Sequence, residues 1–201
     1  AGAGGRIAIR YGTNNFTGII GSYGGSGTIC GGAGTIYMKA SSPSYGDLII
    51  KNNSVNSELT EIVDGSYQFG RIEVKEKGLL KISNGDKISS TDLIIHDSGM
   101  VTNAGTLSVL GAITLDGGGV LSQNGGSFSA GQLIIDNTGL LNLNSKAVIA
   151  DLRIKNGGVL THEMGNVGFN LEVSGNAVIE SGGKIDVTGK CFGKSLGPGA
   201  G

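Results

Sequence analysis

"ITLDGGGVL" (residues 113–121) is followed 20 residues later by "LIIDNTGLL" (133–141). Each has an apolar-x-apolar start, three turn-forming residues, a glycine and two apolar residues. The same frame fits "IEVKEKGLL" (72–80), "LIIHDSGMV" (93–101) and "LRIKNGGVL" (152–160). "LEVSGNAVI" (171–179) fits with alanine in the glycine place, and "LIIKNNSVN" (48–56) with serine. The markers are Ser54, Gly78, Gly99, Gly119, Gly139, Gly158 and Ala177, spaced 24, 21, 20, 20, 19 and 19 residues apart. A short period with strand alternation and no helical periodicity implies stacked coils. The reading is all-β: a single-stranded parallel β-helix, or β-solenoid, with 19–21 residues per coil. The usual crossover sense makes it right-handed.

Three apolar sites per coil imply three faces around one core. The first strand supplies pairs such as Leu93/Ile95, Leu133/Ile135, Leu152/Ile154 and Leu171/Val173. The second supplies Leu80, Val101, Leu121, Leu141, Leu160 and Ile179. The third supplies Ile88, Leu107, Phe128, Val148, Phe169 and Ile185. Alternation turns these side chains inward. A lone coil cannot offset the entropy of ordering its residues, on the order of 1–2 kcal/mol each. Stacking is therefore obligatory. The glycine markers Gly78, Gly99, Gly119, Gly139 and Gly158 read as structural turns, where a corner takes positive φ.

Residues 1–45 read as Gly-rich, irregular N-terminal coils, 46–190 as regular coils, and 191–201 as a Gly-rich tail or linker. Strands are expected at "RIAIRY" (6–11) and "TIYMK" (35–39). The ends, "AGAGGRIAIRYG" and "KSLGPGAG", read as the exit from one Gly-rich excursion and the start of the next. That makes the chain one interval of a longer solenoid.

Composition narrows the chemistry. Gly is 39 of 201 residues, and the formal net charge is −1. No basic surplus favours nucleic acid as a partner. No apolar run reaches the ~20 residues that span a bilayer. "YGGSGTICGGAG" is followed by a strand, whereas phosphate-binding loops lead into a helix. Cys30 and Cys191 lie far apart and form no metal-ligand spacing, which leaves two unpaired thiols or one long-range bridge.

Candidate sites are few. Asp116 and Asp136 occupy one column, three residues before the marker, on adjacent coils. Two carboxylates one rung apart are candidates for Ca²⁺, the only cofactor the sequence suggests. The column reads Lys51, Lys75, His96, Asp116, Asp136, Lys155, Ser174. The alternative is a solvated turn column. "RIK" (Arg153–Lys155) matches part of a polygalacturonase signature, but its partner motifs are absent. His96 and His162 each precede an acid, with no nucleophile placed beside them, and read as surface histidines on turns. Tyr23, Tyr37, Tyr45 and Tyr67 gather toward the N-terminal part as candidates for ligand binding, by stacking on sugars. The outward position of the first strand reads Ile49, Glu73, Ile94, Thr114, Ile134, Arg153, Glu172, an interrupted apolar stripe.

"GAGGRIAIRYG", "FTGIIGSYGGSG", "GGAGTIYMK" and "YGDLIIKN" follow one another from the N-terminus. They resemble a module of very long secreted bacterial surface, adhesin-like β-helix proteins, where "GGRIAIYY", "YGGSG", "GGAGTIY" and "GDLIVDN" occur in that order. "GGKIDVTGKCFGKSLGPGAG" (182–201) resembles the same family's "IDVSGKGY" segment. Cys30 and Cys191 depart from the Tyr or Ser and the Gly usual there. The resemblance covers residues 1–53 and 182–201. It implies an extracellular, cell-surface location and neighbouring segments of one long protein as partners. The function expected is a non-catalytic structural and adhesive segment that attaches to cells or glycans. The alternatives are a carbohydrate-binding or polysaccharide-cleaving, pectate-lyase-like β-helix, and a phage tail-spike or toxin section.

Overall fold

The computed structural model describes residues 1–62, 65–166, 168–190 and 192. Their strands are Arg6–Tyr11 (β1), Thr35–Ala40 (β2), Asp47–Lys51 (β3), Thr60–Glu61 (β4), Ser66–Lys75 (β5) and Leu79–Ile82 (β6). Lys87–Ile95 (β7), Met100–Asn103 (β8), Thr106–Leu115 (β9), Val120–Gln123 (β10), Ser127–Ile135 (β11) and Leu140–Leu143 (β12) follow. Ala147–Ile154 (β13), Val159–Thr161 (β14), Leu171–Val173 (β15), Ala177–Ile179 (β16) and Lys184–Ile185 (β17) complete them. There is no helix among the described residues.

Two ladders run along the molecule, parallel at every pairing but β2–β3. One orders its strands β1-β2-β3-β5-β7-β9-β11-β13-β15, with β16 also on β13; the other orders them β17-β14-β12-β10-β8-β6-β4. Together they make a β-solenoid of about six turns. Each coil contributes a short strand and a long one. The register of the long strands shifts between Ser90 and Leu93 and between Ala130 and Gln132. Both shifts come from one extra residue in β9; in every one of these strands the inward alternation breaks at that level, as between Ser90 and Leu93 or Ala130 and Leu133, so three inward rows run over two sheets.

The inward rows are continuous. Leu80, Val101, Leu121, Leu141 and Leu160 stack in the short-strand sheet. Ile72, Leu93, Ile113, Leu133 and Leu152 stack in the long one, as do Val74, Ile95, Leu115, Ile135 and Ile154. All are buried in one hydrophobic core. Fully burying such a side chain stabilises by roughly 1.5–3 kcal/mol. Amides interrupt the end of the short-strand row. Asn103 and Gln123 are buried there between Ile82 and Leu143, and Asn103 Nδ2 donates to Gln123 Oε1 at 2.6 Å. The bond satisfies groups that would otherwise be costly inside.

The glycine column has a different cause from the one expected. Gly78, Gly99, Gly119, Gly139 and Gly158 do not have positive φ; the two residues before each of them carry the left-handed turn. At these turns Asp97, Asn137 and Asn156 tolerate the conformation, as do Glu76 and Lys77. The glycines are required by close approach. A Cβ at Gly78 would lie 2.7 Å from the Ile50 carbonyl oxygen of the preceding coil, and closer still to the equivalent oxygens at the other four positions.

The seventh marker is misplaced in the sequence reading. Ala177 pairs with Leu152, and β15 pairs with Ala147–Ile149, so "LEVSGNAVI" spans two segments of one long strand. Gly183 takes the column position, against the Ile154 carbonyl. Ile185 pairs with Leu160, not with the third row, and Ile179 pairs with Ile154. The third row runs through Ala147, fully buried, while Val148 points out and is 40% exposed. The outward stripe therefore ends on Val178 instead of Glu172.

A second glycine column closes the other corner. Asp47 Oδ1 accepts from Arg71 N at 2.9 Å, Asp92 Oδ1 from Ala112 N at 2.9 Å, and Asp151 Oδ1 from Asn176 N at 2.8 Å. Each donor follows a glycine, Gly70, Gly111 or Gly175, whose missing Cβ leaves room for that carboxylate. Hydrogen bonds to charged groups contribute roughly 1.5–3 kcal/mol. Asp92→Ala is expected to destabilise by about 1.5 kcal/mol in urea unfolding, with Ala112 among the amides whose exchange accelerates.

In the N-terminal part the strand directions differ from those of the coils after it. β1 pairs parallel with β2, but β2 runs antiparallel to β3, with Tyr37 opposite Leu48. Glycine-rich segments pack against this reversal through main-chain bonds, Gly4 N to Gly32 O at 2.9 Å and Gly34 N to Ser22 O at 2.7 Å. Cys191 and "KSLGPGAG" lie outside the described residues, so the expected bridge and tail do too.

Candidate functional site

The reversal at β2 leaves a hollow. Tyr67 and Phe69 of β5 occupy the inward register of Ile88 and Ser90. On their other side β3 pairs only with Ile72–Lys75, so no strand among the described residues lies beneath the first half of β5. The two rings face a cleft of about 780 Å³ with Tyr37, Leu48, Leu59 and Ile62. Tyr67 and Phe69 stack at 6.5 Å between centroids and 13° between planes; Tyr37 meets Phe69 edge-on at 6.4 Å. Gly46 N donates to Tyr37 Oη at 3.1 Å, which fixes that ring. Arg6 and Glu58 stand exposed at the rim.

Of the four candidate tyrosines, Tyr37 and Tyr67 are thus brought together. Tyr23 is elsewhere, its ring under Lys51 Nζ at 5.6 Å. Tyr45 sits exposed on the β2–β3 link. Phe69 was not singled out from sequence. Its signal was the repeat frame, in which "SYQFG" places two aromatics where later coils carry Ile88 and Ser90 or Leu107 and Val109.

The candidate Ca²⁺ pair is stacked as expected, since Ile135 pairs with Leu115. Asp136 already has a cation: Lys155 Nζ lies 2.9 Å from Oδ2, and Asn137 N donates to Oδ1 at 2.8 Å. The Lys155 hydrogen bond leads in holding the Asp136 carboxyl below its ordinary value. Asp116 Oδ1 is buried without a partner. Among the described residues no three His, Cys, Asp or Glu side chains form a metal-binding group. The rest of the column reads as expected up to Lys155, then continues in Glu180 instead of Ser174.

Neither histidine is a simple surface residue. His162 is 6% exposed, gives Nδ1 to Glu163 O at 2.8 Å and packs on Phe169. His96 bridges two carboxylates, with Nε2 3.0 Å from Glu73 Oε1 and Nδ1 2.9 Å from Asp97 Oδ2. Lys75 Nζ also reaches Glu73 Oε1 at 2.9 Å. Burial works to raise the Glu73 carboxyl, but the His96 and Lys75 interactions outweigh it and hold it below its ordinary value of 4.5. A carboxylate so depressed stabilises the fold fully above pH 4.5 and loses that contribution as pH falls through the lowered native value. Urea midpoints for Glu73→Gln are therefore expected to lie below wild type near neutrality and to converge with it in acid; a gap that persists in acid would disprove this account.

No family model matches the chain, and no curated protein or solved structure matches it.

Proposed function

We infer that this chain is a non-catalytic structural and adhesive segment of a large secreted bacterial surface protein, spanning distance and displaying surface for attachment to cells or glycans. The observation that carries the reading is how its charges are used. Arg71–Asp47, Lys81–Glu61, Lys155–Asp136, Lys146–Glu172 and Arg153–Glu180 all join one coil to another, and the His96–Glu73 hydrogen bond does the same. They clamp neighbouring rungs along the length of the stack. A rod held in this way suits a load-bearing extracellular spacer, and the likeness of residues 1–53 and 182–201 to surface-protein modules supports the same role. Ile179 and Ile185 occupy inward rows yet are 50% and 44% exposed, a face that a neighbouring segment of the same protein would cover.

The test pairs two measurements on the same preparation. Beads coated with the chain are expected to adhere to cells bearing surface polysaccharide. Incubation with those polysaccharides is expected to release no reducing ends. Cleavage of any of them would overturn the reading, and so would coated beads that adhere no better than uncoated ones.

A further inference from the structure

We propose that the cleft beneath the β2–β3 reversal is a binding site for a neutral oligosaccharide. The site stands on its own geometry, whether or not the chain belongs to a longer surface protein. Its volume, about 780 Å³, lies in the usual range for small-molecule sites, ~300–1,000 Å³. Its floor is aromatic. Tyr67 and Phe69 lie nearly parallel along one strand and Tyr37 closes the side. Aromatic faces take up the C–H faces of sugar rings, which are apolar on one side and hydroxylated at the edge. In the coils above, the same inward positions hold the aliphatic Ile88 and Leu107 and are sealed. Here the rings open into the cleft.

The rim supplies the polar half. Arg6 and Glu58 are exposed and carry no side-chain hydrogen bond or ion pair. One is a fan of donors, the other a pure acceptor. A guanidinium and a carboxylate left unpaired at one mouth match hydroxyl groups, which both accept and donate. They do not match an ion. A uronate would meet Glu58 with like charge, and a cationic amine would meet Arg6. The opposite wall is the main chain of Gly31, Gly32, Ala33 and Gly34; a Cβ at Gly31 or Gly34 would press on the Gly2 or Gly5 carbonyl oxygen, and one at Gly32 would crowd the Glu58 and Leu59 carbonyls. This leaves the mouth unobstructed beside the rings.

The experiment is a proton NMR titration of the whole chain, following the ring resonances of Tyr37, Tyr67 and Phe69. The probes are cellohexaose and chitohexaose as neutral chains and hexagalacturonate as the acidic one. At least one neutral probe is expected to shift these resonances saturably below about 10 mM, and more tightly than hexagalacturonate. Glu58→Ala and Arg6→Ala alter exposed side chains without bonded partners, so both variants keep the fold. Each is expected to weaken binding of the neutral probe about tenfold. The proposal is overturned if neither neutral probe shifts the rings, if hexagalacturonate binds more tightly, or if both variants bind as wild type does. None of these results depends on whether the coated beads adhere, so the two readings fail separately.

Discussion

Gly119→Ala is expected to cost about 3 kcal/mol or more of unfolding free energy, although it adds a single methyl group. The new Cβ would press on the carbonyl oxygen of Ile95 in the coil below. That oxygen already accepts from Asp116 N at 3.0 Å, and Gly119 N donates to Asp116 O at 2.7 Å. Backbone faces backbone, so no flexible side chain can yield. Either the coils part, lengthening Val120 N to Gly99 O, or the turn is rebuilt. The neighbouring Gly118 supplies the control. It has φ +76°, and its nearest neighbours are side-chain oxygens at 3.6 and 4.0 Å. Ser98 and Thr138 take the same left-handed conformation in adjacent coils. Gly118→Asn is therefore expected to cost no more than about 1 kcal/mol. Urea unfolding followed by circular dichroism compares the two. If the Gly118 variant proves the more damaging, the column would be a matter of φ after all.

The second large effect separates two residues of a single row. Ile135→Ala empties a site of zero exposure between Leu115 and Ile154, and a loss of roughly 2–5 kcal/mol is expected. Ile179→Ala makes the same chemical change two coils on, where half of the side chain is already exposed, and should cost less than about 1 kcal/mol. Equal losses would mean that Ile179 is covered in solution.

The repeat in the sequence carried the fold because each coil buries the same pattern against its neighbours. It could not by itself fix which strand is which. All three segments of a coil alternate with period two, so "LEVSGNAVI" passes for a strand-turn-strand unit. Gly175-Asn176-Ala177 belongs instead to the second corner, with Gly70-Arg71-Ile72, Gly111-Ala112-Ile113 and Gly131-Gln132-Leu133. That column decides the register, and it is readable once sought.

The cleft was harder to foresee. It exists because β2 reverses, and an alternating strand carries no direction. The six residues between Ala40 and Asp47 did hold the clue: a parallel connection needs about a dozen or more. His162 was hidden for a related reason. Its inward place shows only when Asn142 is set against Thr161, which puts the histidine in the row of Leu143.

The antiparallel meeting of β2 and β3 also gives the molecule a polarity. Every rung from β3 onward presents the next one with a strand edge of the same direction, so a coil can be templated on its predecessor. β2 offers the opposite sense, and β1 copies that reversed sense in parallel. β16 and β17 keep the copying sense. The long-strand sheet therefore holds two directions of copying that meet at one seam, between β2 and β3.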